Sequence, residues 1–265
     1  MLIELGALAI ALSGGAWGLA RRHRARLYDR QRRRVAAIRQ TQAPALGLGR
    51  HGVPDFSRRV VRLRDFLPAE LFARISDEVV RLQSAERTFV PAHKKGGTIA
   101  YETLIQQAPA VVAYYHAPEL MGFFSSVVGT PVVPTPIEDQ SSLSVLLYDR
   151  PADRIGWHYD HNFYRGRHFT ALLTIVNQGH APDGLSHARL VAAVDGREVV
   201  VSTEPNTLVL FEGAVVRHKV TPIRAAERRV VLSMTCCSDP RAQAWQGIAR
   251  RFKDTAYYGV RALWT

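Results

Sequence analysis

The sequence predicts an α+β fold built on an antiparallel β sandwich or barrel, with helices first and strands after them. Two observations carry this. Between Val60 and Gly129 apolar residues recur at helical spacing, whereas from about Ser141 they gather into short β-rich runs separated by polar or Gly/Pro breaks. The chain is also 265 residues long and 47% hydrophobic, which suffices for one sizeable core and excludes a wholly disordered chain.

Residues 1–20, MLIELGALAIALSGGAWGLA, carry a single charge, Glu4. As a helix, the uncharged run Leu5–Ala20 spans about 24 Å at ~1.5 Å per residue, slightly short of a ~30 Å hydrocarbon core. Met1–Ile3 can extend it, and Arg21 and Arg22 can snorkel at the other end. The segment lacks the basic start of a signal peptide and runs directly into arginine. We read residues 1–20 as a single-pass membrane anchor; a cleaved signal peptide and an amphipathic surface helix are the plainer alternatives.

The net charge of +12 is unevenly placed, since residues 1–40 hold nine arginines against Glu4 and Asp29. Beside an apolar anchor, such a cluster stays cytoplasmic with anionic headgroups as its contact, and the domain behind it faces the cytoplasm too. The same unevenness makes nucleic acid a poor partner, because the basicity is a local run and not a property of the folded domain.

Residues 21–40 contain no Pro or Gly and read as a basic helix, and 41–56, TQAPALGLGRHGVPDF, as a Pro/Gly linker; the folded domain is then 57–265. After Pro68, apolar residues at 71, 72, 75, 79, 80 and 82 mark a helix. PAVVAYYHAPELMGFFSSVVG is a second helical region, interrupted near Pro118. The strand runs are SLSVLLY, HFTALLTIV, ARLVAAV, REVVVST, NTLVLFE and RRVVLSMTC, within a core at 141–237. HKKGG at 93–97 reads as a solvated turn or part of a lid, and RRFKDTAYYGVRALWT as a helix packed on the barrel. Cys236 and Cys237 are adjacent, which excludes a disulfide scaffold, and they read as buried inert thiols.

Chemistry enters at GWHYDHNFY. His158 and Asp160 are two apart, so on a strand they share a face and can share one metal. A third ligand must come from elsewhere, and RHKVTPI supplies His218 at a strand end. Two histidines and a carboxylate form the facial triad of non-haem Fe(II) sites, which leaves three octahedral positions open. Ten residues beyond His218 stands Arg228, opening AERRVVLSM, whose planar, permanently charged fork suits a carboxylate; Arg229 is its rival, since a slip of one residue reverses the face.

These motifs resemble the prolyl-hydroxylase-like branch of the Fe(II)/2-oxoglutarate-dependent oxygenases. The resemblance runs over Tyr148–Ser233, through Tyr148 ten before His158, then HYD, TALLTIVN, ARL, NTLVLFEG, HKVTPI and ERRVVLS. One departure is SHARL, where the family more often has a Gly pair before Leu.

The resemblance implies a double-stranded β-helix (jelly roll) and a dioxygenase using Fe(II), 2-oxoglutarate and O₂, with ascorbate as an accessory. By the same resemblance His158, Asp160 and His218 bind iron. Arg228 binds the distal carboxylate of 2-oxoglutarate, helped by Tyr148 and Thr174. The implied reaction is hydroxylation of an unactivated C–H bond in a small-molecule, lipid or peptidyl substrate, with release of succinate and CO₂. The related halogenases carry a small residue at the position of Asp160, which opens a site for halide, so its presence favours hydroxylation or desaturation.

Among the neighbours, Asn162 shares the strand parity of Asp160 and is the candidate substrate contact, whereas His161 points away. Trp157 is expected beside the metal, and His168, His180 and His187 at the surface. The anchor makes a membrane-associated substrate attractive. Two other functions stay open: a catalytically inactive jelly roll that senses 2-oxoglutarate or a metabolite, and a nucleic-acid demethylase of the same superfamily.

Overall fold

A computed structural model of the chain describes residues 2–82, 85–90 and 94–242, without the side chains of 2–20 and 88–90. The helices are α1 (Leu2–Thr41), α2 (Ala69–Arg81), α3 (Tyr101–Gln107), α4 (Pro109–Tyr115) and α5 (Pro118–Val128). Among them run β1 (Val60–Leu63), β2 (Glu86–Val90) and β3 (Lys94–Ile99). After α5 come β4 (Val133–Pro134), β5 (Leu143–Tyr148), β6 (Arg154–His158), β7 (His168–Gln178), β8 (Leu190–Val194) and β9 (Arg197–Val201). The last strands are β10 (Leu208–Phe211), β11 (His218–Val220) and β12 (Arg228–Cys237).

The strands pair in the order β1-β10-β7-β12-β5-β3-β6-β11-β8-β9, every pair antiparallel. This is a nearly closed jelly roll. Strands β1, β10, β7, β12 and β5 form one half, β6, β11, β8 and β9 the other, and β3 joins them. Its Gly97–Ile99 pair with β5, while Lys94 and Lys95 pair with β6.

Side-chain alternation sorts each strand of the larger half into two cores. On β7, Phe169, Ala171, Leu173 and Ile175 face the helices, while Leu172 faces the interior of the roll. On β12, Val230, Leu232, Met234 and Cys236 face the helices and Val231 the interior. With both faces covered, these strands read as continuous apolar runs, unlike half-solvated ones. The helix-side core is closed by α4, whose residues Ala110–Tyr115 are all buried. Prolines at the first turns of α4 and α5 occupy positions where no N–H partner is needed. α5 stops at Gly129, whose left-handed backbone (φ 71°) terminates the helix.

The membrane anchor is a correction. No helix among the described residues is long and apolar enough to cross a membrane. The side chains of α1 are described from Arg21 onward, and this part packs on protein: Val35 and Ile38 are buried, and Arg34 donates to the carbonyls of Ile105 and Gln106 at the end of α3. The basic helix is thus fastened to the domain by capping the carbonyls that α3 leaves free. The expectations that followed from the anchor fall with it: a membrane partner, a cytoplasm-facing topology and a membrane-associated substrate.

The stretch read as a linker is also packed. Leu46 and Leu48 are buried, and both their N–H groups donate to the Glu119 carboxylate on α5. Of HKKGG, Lys94–Gly97 lie in strand β3 rather than in a turn, and His93 lies outside the described residues. The C-terminal segment RRFKDTAYYGVRALWT lies outside the described residues.

Candidate metal centre

β6 ends at His158 and β11 begins at His218, and the two residues are direct partners in the β6–β11 register. Their rings therefore emerge side by side, with centroids 4.1 Å apart. Each ring is oriented by a carbonyl two residues earlier. His158 Nδ1 lies 2.8 Å from Gly156 O, and His218 Nδ1 lies 3.0 Å from Val216 O. A carbonyl only accepts, so both Nδ1 atoms carry the proton and both Nε2 lone pairs are left for a ligand.

Asp160 completes the group. Its Oδ1 is 3.6 Å from His158 Nε2 and 3.7 Å from His218 Nε2. Ligand atoms of the three residues all lie within 4.8 Å of one another, close enough for a single ion to span them. Asp160 stands beyond the end of β6, where its N–H donates to Gly213 O at 2.9 Å. Burial works against its charged form, but the His218 and His158 rings and the Thr170 hydroxyl outweigh that and hold the carboxyl well below its usual range. Burial holds His218 below the ordinary imidazole value, whereas at His158 burial is outweighed by the Asp160 carboxylate, which raises it. A metal ion binds the carboxylate and the neutral form of each ring, so its arrival displaces any proton held there.

The three residues open into a cavity of about 140 Å³. Its walls are largely apolar, with Leu146, Ile155, Leu172, Leu190, Val220 and Val231 among them. At the cavity wall lies Arg229, 1% exposed, with its guanidinium 5.5 Å from the centre of the Tyr148 ring. Among the described residues, neither Nε nor Nη2 of Arg229 has a hydrogen-bond partner. Buried guanidinium donors without partners are costly, and two donors of the fork match one carboxylate.

The structure therefore brings together four of the expected residues: His158, Asp160, His218 and Tyr148. It corrects three. Arg228 is exposed and points out of the cavity; Arg229 takes the inward place, because on β12 the inward residues are Arg229, Val231, Ser233 and Thr235. Counting back two at a time along that strand ends on Arg229.

Thr174 is buried, with no hydrogen-bond partner for its hydroxyl among the described residues, but of its strand His168, Thr170 and Leu172 line the cavity and Thr174 does not, and the β7–β12 register shifts beside it. Asn162 does not line the cavity. Its side chain donates to Gly166 O and accepts from the Tyr164 N–H, closing a turn. His161 lines the cavity instead. The parity argument fails there because β6 has already stopped at His158.

Trp157 lies under Arg217 and Lys219 rather than in the cavity, and His168 is buried in the cavity wall rather than at the surface. Lys94, Thr170 and Gly213 were not anticipated. Lys94 is a buried wall residue whose ammonium donates to Thr98 Oγ1 at 2.6 Å. Thr170 was within reach, since it shares the parity of Thr174 in the same run.

In sequence, a model of the Halogenase D family matches residues 54–181, just under half of the chain. None of the curated proteins matches. Solved structures do. A Pseudomonas putida prolyl-4-hydroxylase superposes with a TM-score of 0.53 at 21% identity, over 70% of this chain and 95% of that one. The non-haem α-ketoglutarate-dependent epimerase SnoN of nogalamycin biosynthesis gives 0.56 at 13% identity, over 69% and 78%. The prolyl hydroxylase of Trichoplax adhaerens, solved with a hypoxia inducible factor peptide, gives 0.56 at 14% identity, over 69% and 84%. The fold is that of the Fe(II)/2-oxoglutarate oxygenases. On that oxygenase fold, the Halogenase D match takes in His158 and Asp160 and ends before His218 and Arg229.

Proposed function

We propose that the chain is an Fe(II)- and 2-oxoglutarate-dependent dioxygenase that hydroxylates an unactivated C–H bond of a small-molecule or peptidyl substrate. The observation that carries this is the pairing, in one cavity, of His158, Asp160 and His218 with the buried, unpartnered fork of Arg229. The donor set fits Fe(II), two imidazole nitrogens and a carboxylate oxygen, and the free fork fits the far carboxylate of a dicarboxylic co-substrate. When bound, the iron supplies O₂ activation coupled to decarboxylation of 2-oxoglutarate to succinate and CO₂.

The rest is the work of the chain. Gly156 and Val216 fix the two imidazoles through their Nδ1 protons. Arg229 and Tyr148 orient the co-substrate, and the apolar wall keeps water from it. Asp160 supports hydroxylation over halogenation, because a carboxylate stands here where, by the family resemblance, the related halogenases carry a small residue.

The test is anaerobic addition of Fe(II) and 2-oxoglutarate, followed by O₂. We expect a weak visible charge-transfer band that is absent in His158→Ala and Arg229→Ala, and succinate on oxygenation. Offered candidate substrates, a product one oxygen heavier marks hydroxylation and one two hydrogens lighter marks desaturation. Folded, iron-loaded protein that gives neither band nor succinate would favour the binding or sensing function.

A further inference from the structure

Asp160 divides its two oxygens between different tasks. Oδ1 faces both histidine Nε2 atoms, while Oδ2 accepts the Thr170 hydroxyl at 2.5 Å. No strand holds Asp160, and the donor comes from β7, in the opposite half of the roll from His158 and His218. Gly213 backs the same carboxylate. A Cβ there would stand 2.5 Å from Oδ2 and 2.8 Å from the Thr170 hydroxyl oxygen, so the seat admits the carboxylate because this residue is glycine.

We propose that Thr170 is a positioning residue that occupies Oδ2 and so presents Oδ1 alone to the metal. This rests on the metal-centre reading above. A carboxylate can bind an ion through one oxygen or through both. With two histidines and one oxygen, three octahedral positions remain for a chelating 2-oxo acid and O₂. A second oxygen would take one of them. A hydroxyl donating to a carboxylate at this separation makes a strong, charge-assisted bond, and it points the carboxylate without touching the ion.

The test uses the metal-free full chain titrated anaerobically with Co(II) alone, read by calorimetry and by the visible absorption of the bound ion. Thr170→Val keeps the branched shape that β7 packs and removes only the donor. It is expected to bind Co(II) about 10–100-fold more weakly. Thr170→Ser, which restores the hydroxyl, is expected to stay within about threefold of the parent, and its contrast with Thr170→Ala carries the test if valine is not tolerated. In an Asp160→Ala background, Thr170→Val is expected to change nothing further, because Thr170 acts through that carboxylate. Equal affinity of Thr170→Val and the parent would overturn the proposal, as would an equal loss in the Asp160→Ala background. A parent chain that binds no Co(II) would overturn the metal-centre reading itself, which is a different failure.

Discussion

His218 stands directly opposite His158 across the β6–β11 pair, and each ring gives its Nδ1 proton to a carbonyl two residues upstream. The pair is thus preset before any ion arrives. His218→Ala is expected to weaken Co(II) binding at least about 100-fold while leaving near-ultraviolet circular dichroism unchanged. An unchanged titration would show that the ion, if one binds, sits elsewhere.

Arg228 and Arg229 separate by facing rather than by chemistry. Arg229→Ala is expected to raise the 2-oxoglutarate KM about 100-fold, the cost of roughly 3 kcal/mol of paired charge, and Arg229→Lys to recover part of it. Arg228→Ala, a change at an exposed strand end, is expected to stay within about twofold. Steady-state succinate assays at varied 2-oxoglutarate decide it; the reverse ranking would mean that β12 is out of register by one residue.

Asn162 belongs to stability. Its amide closes the turn to Gly166 and Tyr164, so Asn162→Ala is expected to lower unfolding free energy by about 1–2 kcal/mol and leave KM values alone. Urea unfolding beside a substrate titration checks both halves of that statement.

Glu227 gives the pH dependence. Its carboxylate accepts from His187 Nδ1 and from the N–H groups of His180, His187 and Arg224. Burial alone would raise its pKa, but the His187 side chain and these donors win and hold it at about 2, against an ordinary 4.5. A depressed carboxyl stabilises the fold above its unfolded pKa and loses that contribution as pH falls through the folded one. Stability from this group should therefore be full above about pH 5 and fade toward pH 2. Glu227→Gln is expected to cost about 1–3 kcal/mol at neutral pH and to flatten the acid limb of a thermal-stability profile. An acid limb identical to the parent's would assign the loss to other groups.

Much of the roll was legible because period-two alternation survives along uninterrupted strands. Tyr148 could be placed from its run, and the histidines from motifs at strand ends. Legibility failed where the strand did. Beyond His158 the backbone leaves β6, so Asn162 and His161 exchanged roles. At β12 the spacing of ten from His218 pointed to Arg228, while strand parity selects Arg229. Lys94 was hidden in a basic, glycine-rich pentapeptide that looks like a turn. There Gly96 and Gly97 serve to let β3 pass close to β5, since a Cβ on Gly96 would stand 3.1 Å from Leu147 O. The apolar N-terminal run was read for its composition, and the contacts of Arg34 with α3 had no signature in the sequence.

The placement of Asp160 has a mechanical consequence. His158 and His218 belong to one half of the roll, whereas Asp160 is fastened to the other through Thr170 on β7 and through Gly213, which follows β10. An ion held by all three is a clasp across the open rim, and it can close only when both halves are folded against each other. Losing the ion and parting the halves then become one cooperative event, so a half-folded chain should release its metal rather than carry it.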